Sequence, residues 1–390
     1  MKYINSIINL FCFLFINSIH ANNDYSIKGI DTTEFYSSIP VGINNLGQVA
    51  GGLIQHQGHP IDQLFFWDPE TGLHIADGFQ NDNEYKNIEN YYLSDTPAAK
   101  GWRTHGFKGL SFQYSIQPVK ITNQGDVLFN FHVTLRLPEI GYRDIDPAYE
   151  RQYAVSMVWH SEHGLRVIKE GNKIIDGNDL GQLLLTDNRL LDKEDNARKL
   201  RTLSNPIKIN NLGEVLGTFE FSASNQQIRT IAVLNSLDEL DKIPLKGNSE
   251  PICFNDNGQI VGKRSVPNRS DEYFIWNQKE GVVEFIRSAE IQANPKDYPH
   301  GVSLVSIQSI NNRGDLICTV KDSFANLFQG ILVNNHFIEF ESILDLNPES
   351  DNQWTAVGTL IDLNDSGQVV SSGNVNGLSG TQTLIFTSDL

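Results

Sequence analysis

Apolar residues alternate with other residues over short stretches of this chain, and the stretches recur. Val41 and Ile43, Val119 and Ile121, Ile207 and Ile209, and Ile252 and Phe254 each flank one position and lead into a turn. Period two marks a strand with one half-buried face. The turn phrase reads apolar, Asn or Thr, Asx or Gln, any residue, Gly, polar, then Val, Ile or Leu. Its copies start at Ile43, Ile121, Ile209, Phe254, Ile310 and Leu363, with turn glycines at 47, 125, 213, 258, 314 and 367. Asx side chains hydrogen-bond their own backbone in such turns, and Gly supplies the positive φ that other residues reach only at a cost. Each phrase therefore predicts a tight hairpin.

A second element follows most copies. Leu64-Phe-Phe-Trp-Asp68, Met157-Val-Trp-His160 and Phe274-Ile-Trp-Asn277 each pass through a Gly-containing turn into another apolar stretch, with weaker versions at Ile231–Asn235 and Ile331–Asn334. Two hairpins per repeat, repeated along the chain, predict an all-β fold: a single β-propeller of four-stranded blades over residues 22–390. The count is six or seven. A degenerate copy at Ile175–Leu185, with Gly181 in its turn, favours seven, because a structureless connection of that length would be unusual in a compact domain. The last repeat stops after a third strand, Thr383–Phe386, while an orphan strand, Tyr25–Ile30, precedes the first. Pairing the two would close the ring and protect its edges.

The first residues change the picture of where the chain works. Lys2 precedes the apolar run Ile7–Ile16, and Ala21 offers a small residue for cleavage, so residues 1–21 read as a secretory signal. The run is too short for a membrane span. The expected location is secreted or periplasmic, with no membrane insertion after cleavage. The formal net charge is −17, which repels phosphate backbones and excludes nucleic acid as a partner. Cys253 and Cys318 lie in different repeats, and the expectation is two buried thiols, not a disulfide.

The phrase resembles the HAF family of extracellular repeats, which also read Ile-Asn-x-x-Gly-x-Val-Val-Gly with an aromatic-Trp strand downstream. The resemblance covers most of residues 39–386. The second Gly of that pattern survives as Gly51, Gly217 and Gly262, and the Trp as Trp67, Trp159 and Trp276. It implies a secreted, propeller-like protein and carries no catalytic residue.

Function is sought where the repeats depart from regularity. First and third turns are short throughout. Long insertions at 79–115, 131–152, 286–305 and 341–357 belong to the opposite face, and loops on a rigid scaffold are where binding concentrates. The candidate ligand-binding residues are Tyr91, Trp102, Arg103 and His105 in the first insertion, and Tyr142, Arg143, Asp144 and Asp146 in the second. Aromatics beside Arg and carboxylates can stack on sugar rings or peptide side chains and fix them by hydrogen bonds. The same aromatics could instead pack the loops onto the ring. The expected partner is a glycan or a protein, bound by a monomer without cofactor or metal. Two rival readings are a polysaccharide-cleaving enzyme, using the acidic residues Asp144, Asp146, Glu139 or Glu150, and a structural envelope protein. His56-Gln-Gly-His59 and His160-Ser-Glu-His163 have two-histidine spacing but no evident third ligand.

Overall fold

Seven four-stranded antiparallel sheets form the blades of a β-propeller in the computed structural model. It describes residues 25–76, 111–136, 150–168, 172–223, 226–245, 248–266, 271–340 and 354–388. We number the blades along the chain: I (37–76), II (111–168), III (174–199), IV (205–242), V (249–285), VI (303–339) and VII (354–388, completed by 25–29). Each is a meander whose first strand lies innermost. The segment assigned as a signal, 1–21, lies outside the described residues.

The ends close the ring as expected. Tyr25–Gly29 pairs antiparallel with Thr381–Ser388, placing Tyr25 opposite Ser388 and Ile27 opposite Phe386, and so forms the outer strand of blade VII. The degenerate copy is blade III. Its strands, Ile174–Gly177, Leu183–Leu185, Arg189–Leu191 and Ala197–Lys199, have only 4, 3, 3 and 3 residues, yet each pairs with the next.

The apolar face of every blade is buried against a neighbouring blade, so the core is a series of interblade layers. Leu128 of blade II meets Ile174, Leu183, Leu185 and Leu191 of blade III. Trp276 and Phe274 of blade V pack on Leu216, Ile231 and Val233 of blade IV. Trp276 and Trp67 of the repeat are therefore core residues, and Trp159 is half-buried against the layer between blades I and II. Cys253 and Cys318 are unpaired and buried, and burial pushes both thiols up to about 12.

One insertion has a structural role that its sequence does not announce. Residues 286–302, with a 3-10 turn at Ser288–Glu290, run along the outer edge of blade VI. The Gln292 N–H donates to the Asn335 carbonyl at 2.8 Å, and the Phe337 N–H donates to the Gln292 carbonyl at 2.8 Å. Tyr298 is buried edge-on against Phe328 and Phe337, and its hydroxyl donates to Glu339. This segment covers a sheet edge that would otherwise expose unpaired backbone groups. Among the described residues no helix is long and apolar enough to cross a membrane.

Candidate functional site

The first turns of all seven blades converge around the axis, and their side chains explain why they are short. The leading Asn or Thr of each phrase (Asn44, Thr122, Asn178, Asn210, Asn255, Asn311, Asn364) is buried. Asn210 shows the pattern: its Oδ1 accepts the N–H groups of Leu212 (3.1 Å) and Glu214 (2.9 Å), while Gly213 takes φ +76°. The amides of Asn44, Asn178, Asn255, Asn311 and Asn364 also donate to the backbone carbonyl of the equivalent residue in the next blade.

The second residue of each phrase ties the turns into a closed belt. Its backbone N–H donates to the Oδ1 of its counterpart one blade on: Asn45 to Asn123, then to Asp179, Asn211, Asp256, Asn312, Asp365 and back to Asn45, at 2.7–2.9 Å. Amide and carboxylate alternate around the belt except at Asn45–Asn123. The Asn Nδ2 groups consequently find carboxylate acceptors, as in Asn123 to Asp179 (2.8 Å) and Asn211 to Asp256 (3.1 Å). Oxygen-rich turns that resemble ion loops are thus satisfied by one another. Asn211→Ala removes the acceptor for the Asp179 N–H and the donor to Asp256. The expected loss is about 1–2 kcal/mol, read as a lower urea midpoint with an unchanged slope.

Below the belt lies a polar layer that the sequence reading missed. Every innermost strand has a register shift at the third residue before the leading Asn or Thr: between Pro40 and Gly42, Pro118 and Lys120, Ile174 and Asp176, Pro206 and Lys208, Pro251 and Cys253, Ile307 and Ser309, and Leu360 and Asp362. A bulge re-aims the side chain beside it. Here the residues that follow the bulges converge on the axis. Lys120 Nζ lies 3.1 Å from Asp176 Oδ1 and donates to the Gly177 carbonyl at 2.8 Å. Asp176 Oδ2 accepts the Ile209 N–H at 3.0 Å. Across the axis Asp362 accepts from Ser309 Oγ and the Ile43 N–H, both at 3.3 Å. Lys208 is drawn to Asp176 and then to Asp362, and stays firmly protonated. The available signal was a polar or small residue at one offset in seven repeats whose flanking positions are mostly apolar.

The predicted ligand residues Tyr91, Trp102, Arg103, His105, Tyr142, Arg143, Asp144 and Asp146 all lie outside the described residues, in 77–110 and 137–149. The strands bounding those segments are described. Blade II extends past its neighbour: its inner three strands, Ser111–Ile121, Val127–Arg136 and Glu150–His160, have 11, 10 and 11 residues, against 7, 6 and 6 in blade I. At its far end Ser111 pairs with Arg136, and Arg136 with Glu150. The end of the first insertion and both ends of the second therefore meet at one point, on the face opposite the belt.

The paired histidines sort differently. His56 and His59 stand edge-on at 5.4 Å in an exposed turn. His160 and His163 stack at 4.4 Å, and Glu162 is a third donor that the sequence reading did not count, with ligand atoms of all three within 4.8 Å of one another. Both His160 nitrogens are engaged, however. Nδ1 accepts the Glu162 N–H and Nε2 donates to the Gln124 carbonyl, each at 3.1 Å. These bonds tie the third turn of blade II to its first.

The chain is a seven-bladed β-propeller protein. No family model and no curated protein matches it. Among solved structures, the Pyrococcus horikoshii acylaminoacyl peptidase aligns with a TM-score of 0.44 and 11% identity, over 88% of this chain and 50% of that one, so the chain spans half that enzyme's length. TolB from Acinetobacter baumannii aligns at 0.35 and 11%, over 79% and 92%. The six-bladed fucose-recognising lectin of Aleuria aurantia aligns at 0.24 and 9%, over 76% and 74%. Likenesses this distant carry no argument about ligand or activity.

Proposed function

We propose that this protein is a secreted or periplasmic recognition module, built on HAF-type repeats and monomeric, that binds a glycan or a protein through the insertions 77–110 and 137–149. The observation that carries this reading is the common root of the two insertions at Ser111, Arg136 and Glu150. The first insertion returns to the scaffold where the second leaves and rejoins it, and each carries aromatic residues beside one arginine, Arg103 or Arg143. The opposite face is committed to the belt and leaves little chain for a ligand site. Trp102 and Tyr91 supply flat apolar surfaces, while Arg103, Arg143, Asp144 and Asp146 supply directional charged hydrogen bonds.

The test is a binding screen of the full chain against glycans and candidate proteins, with product analysis on each hit. Trp102→Ala and Tyr142→Ala are expected to weaken binding by at least about tenfold with the melting temperature unchanged, the effect of losing an anchor residue. Retained affinity in both variants would overturn the proposal. Shortened glycan products would replace it with a hydrolytic function for the acidic residues of 137–149.

A further inference from the structure

The third turn of blade II is the one place among the described residues where three metal-ligating side chains converge. One ligand atom from each of His160, Glu162 and His163 lies within 4.8 Å of the others. The two imidazoles stack, with 4.4 Å between centroids and 15° between planes. The bond from His160 to the first turn decides which of its nitrogens can ligate. The Gln124 carbonyl can only accept, so Nε2 carries the proton and Nδ1 carries the lone pair. That lone pair is aimed into the third turn, where it accepts the Glu162 N–H at 3.1 Å. Ligand histidines commonly give their other ring N–H to a carbonyl or carboxylate, which fixes the tautomer and the ring plane. Gln124 already does this for His160. The pair His56 and His59 differs: its rings stand edge-on at 5.4 Å, and among the described residues no third donor gathers with them.

We propose that His160, Glu162 and His163 bind a divalent transition-metal ion of the Zn²⁺ type. The ligands are His160 Nδ1, one ring nitrogen of His163 and a carboxylate oxygen of Glu162. Two imidazoles and a carboxylate suit Zn²⁺ and its neighbours in the first transition row. They suit Mg²⁺ and Ca²⁺ poorly, because those ions take oxygen ligands. Metal–nitrogen bonds of about 2.1 Å at tetrahedral angles hold ligand atoms about 3.4 Å apart. Glu162 and His163 are exposed, so rotation of their side chains closes the remaining distance. The ion takes the place of the Glu162 N–H on Nδ1, and in an exposed turn water can accept that N–H instead. The chain's net charge of −17 raises the local concentration of cations. Water completes the coordination of an ion held in so open a turn, and the ion exchanges with solution. The site lies on the belt face, away from the insertions, so it stands or falls apart from recognition there.

The experiment strips the full chain with EDTA and titrates it with Zn²⁺ in competition with a chromophoric chelator, following the histidine ring protons in parallel. A saturable site is expected whose isotherm the ring protons of His160 and His163 follow, and Mg²⁺ in about hundredfold excess should not displace the ion. His163→Ala and Glu162→Gln change exposed side chains and should leave the fold intact. Each should weaken Zn²⁺ binding by at least about tenfold, since even outer-shell partners of a metal are worth that much. His59→Ala should keep the wild-type affinity. The proposal is overturned by no saturable Zn²⁺ binding, by displacement with Mg²⁺, by wild-type affinity in either His163→Ala or Glu162→Gln, or by an equal loss in His59→Ala.

Discussion

Replacing Gly51 by Ala should destabilise the protein by more than about 3 kcal/mol, a severe case of overpacking in a close-packed interior. The backbone of Gly51 is not in the left-handed region, so its requirement is spatial. A Cβ there would lie 2.3 Å from the Ile39 carbonyl oxygen, 2.6 Å from the Phe65 ring and 2.8 Å from the Pro40 Cα. Two of those three neighbours are backbone atoms of the innermost strand of blade I, beside its bulge, and cannot swing away as a flexible side chain would. Gly58 is the control. It has φ +79° and nothing within 4 Å of a built Cβ, so Gly58→Ala carries only the left-handed backbone cost, about 1 kcal/mol. Urea titrations of the two variants decide the matter. If Gly51→Ala unfolds at the same midpoint as Gly58→Ala, the close approach does not control stability. The same backbone crowding recurs at Gly217, where a Cβ would lie 2.7 Å from the Asn205 carbonyl oxygen, while at Gly262 it would meet side chains, Ile231 Cδ1 at 2.5 Å and the Phe274 ring at 2.7 Å. This is the physical content of the second glycine in the repeat phrase.

The turn phrase could be read because its chemistry is local: an Asx oxygen caps two N–H groups within four residues, and Gly takes the positive φ. Closure by Tyr25–Gly29 could be read because strand pairing leaves a countable deficit, one strand short at one end and one in excess at the other. Blade III survived in the reading because Gly181 and the leucines of 183–185 kept the pattern after its apolar lead position had become Gly177. The belt could not be read. Its second partners lie 32 to 78 residues away between consecutive blades, and 320 away where the belt closes. The same residues would look identical if each turn stood alone. The axial layer was hidden for another reason. Simple alternation sends Gly42, Lys120, Asp176 and Lys208 to the face opposite their apolar neighbours, and only a bulge, which has no signature in a single strand, turns them to the axis. The edge cover at 286–302 depends on Tyr298 meeting Phe328 and Phe337, a contact that no window of sequence contains.

Asp176→Asn and Asp362→Asn, the same substitution at equivalent positions of two blades, should have opposite consequences. Asp176 is almost fully buried, and burial alone would raise its carboxyl. Lys120 at 3.1 Å, Lys208 and the Ile209 N–H outweigh that and hold it below 3.8. Neutralising it leaves two lysines with only Asp362 as a counter-charge, and because both lysines keep access to water the expected cost is about 1–3 kcal/mol, below that of breaking a fully buried pair. For Asp362 burial prevails, and the carboxyl sits above 3.8 although Lys208 and Lys120 oppose the rise. Its charge is a burden to the fold. In Asp362→Asn the new amide oxygen can still accept the Ile43 N–H, and the amide nitrogen can donate to Ser309, so the loss at neutral pH should be under about 0.5 kcal/mol, or a small gain. The pH dependence follows from the signs. Stability from Asp176 is complete above 3.8, the unperturbed aspartate value, and is lost as pH falls through its lower folded value. The burden of Asp362 is absent below 3.8 and grows as pH rises through its higher folded value. Urea midpoints for the two variants and the wild type, from acid to neutral pH, should therefore show Asp176→Asn converging on the wild type only in strong acid. Asp362→Asn should match the wild type in acid and equal or exceed it at neutral pH. Equal destabilisation by both would mean that the axial layer is solvated like a surface and that its charges do not sense one another.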